Sequence, residues 1–279
     1  MSEAKRLLTI GLVTDVHYAD AFPRANRYYQ ESLTKLEEAA CVLREEKVDI
    51  AVELGDLIDT RRKPDLVRER EYLKRINMVF TAMAPERHYV FGNHCVTTLK
   101  KQEFLTIVGQ KKSYYSLKRK GVHLIFLDAC FRSDGVAYGE GAFEWTDTEI
   151  PAAQREWLKT TLKKASSPVV VFVHQRLDTP PGNHYTIKSA PEVRQILEQS
   201  KKVSVVFMGH SHHNAQIIIN GIPYLTLAAM VEGSGPENSG YSALRVFDDG
   251  SFELEGFRKH SQHPAHGKRL QPTLTPEAL

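Results

Sequence analysis

Val203-Ser204-Val205-Val206-Phe207-Met208-Gly209-His210-Ser211-His212 is a β-branched and aromatic run that stops at a glycine and ends in two histidines. A short apolar run bounded in this way reads as a buried strand. The pattern recurs along the chain. Leu7–Val13 runs into Asp15 and His17, and Ile50–Leu54 into Gly55-Asp56 with Asp59 three residues on. His88–Phe91 runs into Gly92-Asn93-His94, and Val169–Val173 into His174. Between these runs lie segments of helical spacing: Tyr29–Lys47 with Leu33, Leu36, Ala39, Ala40 and Leu43, and Asp65–Met83, which starts after Pro64. Strands alternating with helices imply an α/β architecture, whose ligand crevice lies outside the carboxyl ends of the strands. Asp15, His17, Asp56, Asn93, His174, His210 and His212 are therefore expected along one edge, as a metal site.

Working outward, Gln154–Lys164 and Pro191–Gln199 are shorter helix candidates. Ser113–Leu117 with Val122–Asp128, Ala215–Ile219 with Tyr224–Leu227 around Asn220-Gly221, and Ser242–Phe247 with Phe252–Phe257 read as hairpins. No composition break serves as a linker, so residues 1–258 are expected to form one domain. The tail Lys259–Leu279 loses hydrophobic periodicity and is expected to be poorly ordered, with His260, His263 and His266 incidental. Phe131–Pro151 and Arg176–Ala190 read as long loops, the kind that often serve as active-site lids.

Composition narrows the function classes. The 279 residues are 42% hydrophobic and 25% charged, ordinary for a globular protein. A net charge of +3 gives no strong signal for nucleic acid or membrane. No stretch approaches the roughly 18 apolar residues of a membrane span. The amino terminus has no signal-peptide apolar region, and Cys41, Cys95 and Cys130 lack CxxC spacing. The expected location is therefore the cytoplasm. Nothing in the sequence fixes the oligomeric state.

A mixed Asp/His/Asn set suits Mn, Fe or Zn, and is too nitrogen-rich for a Ca or Mg cage. It also has too many ligands for one tetrahedral Zn. Two metals sharing a carboxylate fit better. Such pairs lower the pKa of a bridging water, which becomes the nucleophile of an in-line displacement. Two-metal sites also cleave amides, so this chemistry leaves the substrate open.

Asp15-Val16-His17, Gly55-Asp56-Leu57-Ile58-Asp59, Gly92-Asn93-His94, Val173-His174 and Gly209-His210-Ser211-His212 occur in an order that resembles the calcineurin-like metallophosphoesterases. The resemblance runs from residue 9 to about residue 213, and lies closest to the branch of cyclic-nucleotide phosphodiesterases and ADP-ribose/CDP-alcohol diphosphatases. It implies a four-layer α/β/β/α sandwich of two mixed sheets flanked by helices. It also implies hydrolysis of a phosphodiester or pyrophosphate bond in a small, nucleotide-type molecule. The cofactors would be two divalent or mixed-valence transition metals, Mn, Fe or Zn. Carried over by position, one metal would be held by Asp15, His17, Asp56 and His212, and the second by Asp56, Asn93, His174 and His210. His94 would contact the phosphate and protonate the leaving oxygen. Gly55, Gly92 and Gly209 would let the backbone turn sharply beside the metals.

Cys95 departs from the family, which usually places Asp or Glu after Gly-Asn-His to orient the histidine. His94 would then be less basic, or oriented by another group such as Asp128. Cys95 could pack as a small hydrophobe, weaken the general acid, or serve as a redox switch or extra ligand. If it weakens the acid, Cys95→Asp should raise turnover on poor leaving groups.

Several further residues carry weaker signals. Gly182-Asn183-His184 repeats the triplet without a strand before it and reads as a decoy, although His184 or Tyr185 could touch substrate. His213 is expected to be structural, Asp59 to lie outside the ligand set, and His88 and His123 to be edge or core histidines. Tyr138, Phe143 and Trp145 either stack on a nucleobase or pin their loop to the core. Arg24, Tyr28 and Arg176 are candidates for a substrate phosphate. The competing functions are a phosphomonoesterase on the same site and a non-catalytic scaffold. A scaffold would be expected to lose ligands, and none is missing.

Overall fold

In a computed structural model of the protein, residues 4–60, 63–166 and 168–273 are described. The strands are β1 (Arg6–Val13), β2 (Ile50–Glu53), β3 (Glu86–Tyr89), β4 (Tyr115–Arg119), β5 (Val122–Phe126), β6 (Val169–Phe172), β7 (Val203–Met208), β8 (Ala215–Ile219), β9 (Ile222–Thr226), β10 (Gly240–Phe247), β11 (Phe252–Arg258) and β12 (Arg269–Leu270). The helices are α1 (Ser32–Glu45), α2 (Leu66–Thr81), α3 (Lys101–Val108), α4 (Ala152–Lys164) and α5 (Ala190–Ser200). The strands form two six-stranded sheets, ordered β12-β11-β10-β1-β2-β3 and β4-β5-β6-β7-β9-β8.

Alternation along β1 explains the layering. Leu8, Ile10 and Leu12 point into an inter-sheet core with Val52, Phe126, Phe172, Phe207 and Leu225. Val13 points the other way, into a core with Leu36 and Leu43 of α1 and Leu73 and Ile76 of α2. On the far side, Val171 and Val206 of the second sheet meet Leu158 of α4 and Val193 of α5. Strands buried on both faces need near-continuous apolar sequence, which is what β6 and β7 carry. The result is the four-layer α/β/β/α sandwich of two mixed sheets.

β1, β2 and β3 are parallel, and so are β5, β6, β7 and β9. All five ligand-bearing loops therefore leave the carboxyl ends of parallel strands. No helix among the described residues is long and apolar enough to cross a membrane.

One element was not anticipated, and one expectation is corrected. The helix α3 had not been expected, and its apolar content is only Phe104, Leu105, Ile107 and Val108. The segment from Lys259 is not poorly ordered as far as residue 273. It forms a helical turn at Lys259–Gln262 and then β12, while residues 274–279 lie outside the described part. Its order comes from histidine hydrogen bonds: His260 Nε2 to Ala228 O (2.9 Å), His260 Nδ1 with Ser242 Oγ (2.8 Å), and His263 Nε2 to Ala215 O (3.1 Å).

Candidate metal centre

The backbone that carries the candidate ligands is unusual. Asp15 (φ 49°), His17 (φ 47°), Asp56 (φ 62°), His210 (φ 69°) and His212 (φ 62°) all occupy the left-handed region. Such a conformation costs a non-glycine residue on the order of 1–2 kcal/mol and persists only where its surroundings over-determine it. Here hydrogen bonds beyond the strand ends do so. Asp15 N donates to Gly55 O (3.0 Å), His17 N to Asp56 O (2.7 Å), Val231 N to Asp15 O (3.1 Å) and Gly209 N to His174 O (3.0 Å). Of the three glycines expected at sharp turns, only Gly55 has a positive φ, 113°. Gly92 and Gly209 are required by close approach instead: a Cβ would overlap the Asp56 carboxylate at Gly92 and the Thr14 hydroxyl at Gly209.

Six of the seven expected ligands converge in two groups; Asn93 and every other one is buried except His212, which is partly exposed. Ligand atoms of Asp15, His17 and His212 lie within 4.8 Å of one another, as do those of Asp56, His174 and His210, and those of His17, Asp56 and His94. Asp56 Oδ2 stands between the first two groups, 3.1 Å from His174 Nε2 and 3.6 Å from His17 Nε2. Hydrogen bonding then leaves particular atoms free. Asp15 Oδ2 accepts from Thr14 Oγ1 (2.7 Å) and His210 N (3.0 Å), while Asp15 Oδ1, Asn93 Oδ1 and His210 Nε2 are buried without a hydrogen-bond partner.

The histidine tautomers follow from acceptor-only partners. His17 Nδ1 faces Asp59 Oδ2 (2.9 Å), His174 Nδ1 faces Leu54 O (2.9 Å) and His212 Nδ1 faces Glu232 Oε1 (2.8 Å). Each Nδ1 must donate, so in the neutral ring each Nε2 carries the lone pair, the usual state of a metal-ligating imidazole held by an outer partner. His17 Nε2 and His212 Nε2 lie 3.2 Å apart, a distance two lone pairs tolerate only with a cation or a proton between them. The donor set therefore fits two cations.

Without metals, protons balance the carboxylates. Burial opposes charge on His174 and His212, yet Asp56 and Asp15 hold His174 up at about 9, and Asp15 does the same for His212. Despite burial, His212 and His174 hold Asp15, and His174 and His94 hold Asp56, well below the usual carboxylate range. Burial, with cationic His174 beside it, pushes His210 down to about 3, so it stays neutral.

His94 Nδ1 donates to Asp59 Oδ1 at 3.0 Å, so Asp59 holds His94 with one oxygen and His17 with the other. Asp128 does not orient His94; it pairs with Lys101 Nζ at 2.6 Å. Against burial, Asp56 and Asp59 raise the His94 pKa. Cys95 is buried in the helix-side core, and burial plus the nearby Glu53 and Asp56 push its thiol well above the ordinary value.

The structure also sorts the weaker candidates. Arg176 is buried in a double ion pair with Asp178 and reaches Ser211 Oγ and His213 Nε2, so it fastens two loops together and is not free for a substrate phosphate. Arg24 lines a cavity of about 740 Å³ that adjoins Asp59 through Thr60. Asn183 sits outside the centre and its Oδ1 caps Tyr185 N (2.9 Å). Tyr138 is buried and stacked on Phe143 at 3.8 Å, while Trp145 stands 5.5 Å from the His210 ring. Glu232 had no signal in the sequence, because it follows β9 in a loop without any motif.

The sequence profile of the calcineurin-like phosphoesterases matches residues 8–214. A manganese-dependent ADP-ribose/CDP-alcohol diphosphatase of Danio rerio is 34% identical over 94 residues, an alignment covering 32% of this chain and 29% of the relative. A diphosphatase of the same description from Arabidopsis thaliana is 21% identical over 87% of this chain and 92% of the relative. A dimetal phosphatase from Danio rerio superposes with a TM-score of 0.78 at 19% identity, covering 97% of this chain and all of that one.

Proposed function

Because this chain belongs to the calcineurin-like phosphoesterase family, we propose that it hydrolyses the pyrophosphate bond of a small nucleotide-type molecule with two transition metals. The observation that carries this reading is the gathering of Asp15, His17 and His212 on one side of Asp56 and of His174 and His210 on the other, with Asp15 Oδ1, Asn93 Oδ1 and His210 Nε2 buried and unpartnered. Asp15, His17, Asp56 and His212 would hold one metal. Asp56, Asn93, His174 and His210 would hold the other, with Asp56 shared. Manganese is favoured because both diphosphatase relatives are manganese-dependent by name. Bound there, the metals would lower the pKa of a water and neutralise charge developing at phosphorus.

The chain's own residues supply the rest. With Nδ1–H given to Asp59 Oδ1, His94 turns Nε2 outward, and its raised pKa lets that atom carry a proton to the leaving oxygen. Asp59 keeps the ring in place while the bond breaks. The free thiols of Cys41, Cys95 and Cys130 suit a reducing compartment, and we place the protein in the cytoplasm.

The test compares a nucleoside diphosphate ester with a phosphomonoester on metal-stripped protein refilled with Mn²⁺. Cleavage of the diphosphate with little monoester hydrolysis is expected. Preference for the monoester would instead make the protein a phosphatase.

A further inference from the structure

The two long loops place different aromatic residues in different situations. Tyr138 and Phe143 stack on each other, and Tyr138 Oη donates to Asp147 O at 2.8 Å, so this pair pins its loop from within. Trp145 and Tyr185 do the reverse. They remain 40% and 37% exposed, and among the described residues neither the indole N–H nor the phenol O–H has a hydrogen-bond partner. Buried Trp and Tyr usually satisfy these groups, so the two rings are not acting as internal anchors.

Their position gives them a different role. Trp145 and Tyr185 lie 5.8 Å apart at 44°, and each stands 5.5 Å from the His210 ring in an edge-on arrangement. His210 Nε2 is one of the unpartnered atoms of the metal centre. The two rings therefore stand directly beside a candidate ligand of the metal centre.

The wall is also held in shape before anything binds. Lys188 N donates to Thr148 O (2.9 Å), and Ile150 N donates to Ser189 Oγ (3.3 Å). Lys188 Nζ pairs with Asp147 across the same seam, and Asn183 Oδ1 fixes Tyr185 N. Preorganised aromatic surface loses little entropy on binding a flat ring.

We propose that Trp145 and Tyr185 form the nucleobase-binding wall of this centre, and so set its preference for nucleotides over base-free phosphates. The proposal rests on the diphosphate-hydrolase reading above. Stacking on such rings tolerates any base, because every base presents a π-face.

The test uses the full chain carrying Trp157→Phe, which leaves Trp145 as its only tryptophan, since the sequence contains 2. Loaded with Zn²⁺, it is titrated with adenosine 5′-monophosphate and, separately, with ribose 5-phosphate. The nucleotide should quench Trp145 fluorescence and bind roughly ten- to hundredfold more tightly than the sugar phosphate. Trp145→Ala and Tyr185→Ala, made in the unmodified chain and read by calorimetry, should erase that advantage without changing ribose 5-phosphate binding. Trp145→Phe should restore most of it. Equal binding of the two ligands, or an advantage that survives both alanine variants, would overturn the proposal. Hydrolysis of nucleotide and base-free diphosphates at equal rates would refute the wall and leave the diphosphatase intact. Nucleotide quenching without any diphosphate hydrolysis would refute the diphosphatase and leave the wall.

Discussion

Asp59 is the residue on which the site's two halves depend, because its oxygens hold His17 at 2.9 Å and His94 at 3.0 Å. Replacing the carboxylate by an amide removes one acceptor and allows the histidines to turn. Asp59→Asn should lower kcat and raise the Mn²⁺ concentration for half-activity, each by about ten- to hundredfold, the usual cost of losing an outer-shell partner. An effect confined to kcat would mean that Asp59 serves His94 alone. The same contact changes the expectation for Cys95. A carboxylate at position 95 would lie in the core beside Glu53 and Asp56, while His94 already has Asp59. Cys95→Asp should therefore lose about 3 kcal/mol or more, the cost of an uncompensated buried charge, with no gain on poor leaving groups. Thermal melting beside turnover on two leaving groups checks this. A stable, faster variant would restore the idea that Cys95 weakens the acid. The motif residues were legible in the sequence because their chemistry is local: a strand, a glycine, a ligand. Asp59's double role was not, since it depends on the approach of two loops separated by 42 and 35 positions.

Between elements, a buried lysine and a half-buried one do what no motif announces. Lys35 of α1 donates from Nζ to Met230 O (3.1 Å) and Glu232 O (3.4 Å) and also reaches Gly233 O, while Lys259 Nζ holds Glu232 O at 3.0 Å. Together they fix the loop after β9, whose Glu232 carboxylate orients His212. Lys35→Met should cost about 1–3 kcal/mol through stranded carbonyls. It should also raise the Mn²⁺ requirement, because His212 loses its support. Melting temperature and a Mn²⁺ titration of activity read the two effects separately, and an unchanged titration would limit Lys35 to stability. The helices α1, α2, α4 and α5 and three hairpins were readable from spacing and turn residues. α3 was not, because its short apolar face is shared with charged Lys101 and Glu103. The segment after β11 was misread for a related reason. Its order rests on histidine hydrogen bonds to Ala228 and Ala215, and these partners leave no periodicity behind.

For the molecule as a whole, the two sheets bring five carboxyl-end loops to one edge, and the electrostatics of that edge give a pH signature. His174 and His212 have metal-free folded values of about 9, above the ordinary 6.5. The stability they contribute is fully present below pH 6.5 and is lost as pH rises through about 9. The melting temperature of the metal-free protein should therefore fall across that window, while the metal-loaded protein, with cations in the protons' place, should not follow it. Parallel curves for the two forms would mean that these histidines are not the ligands. The α/β class was legible in the alternation of strands and helices, and the four-layer sandwich in the resemblance carried by the five motifs. The pairing of Trp145 with Tyr185 was not, since the two come from separate loops. The measurement that tests the central claim most directly is a Mn²⁺ titration of metal-stripped protein, followed by bound metal and by diphosphate-ester hydrolysis together. The account predicts two metals per chain, hydrolysis that appears as they fill, and loss of one metal together with activity in Asn93→Ala. Hydrolysis that persists in chelator, or two bound metals that Asn93→Ala leaves in place with activity intact, would contradict it.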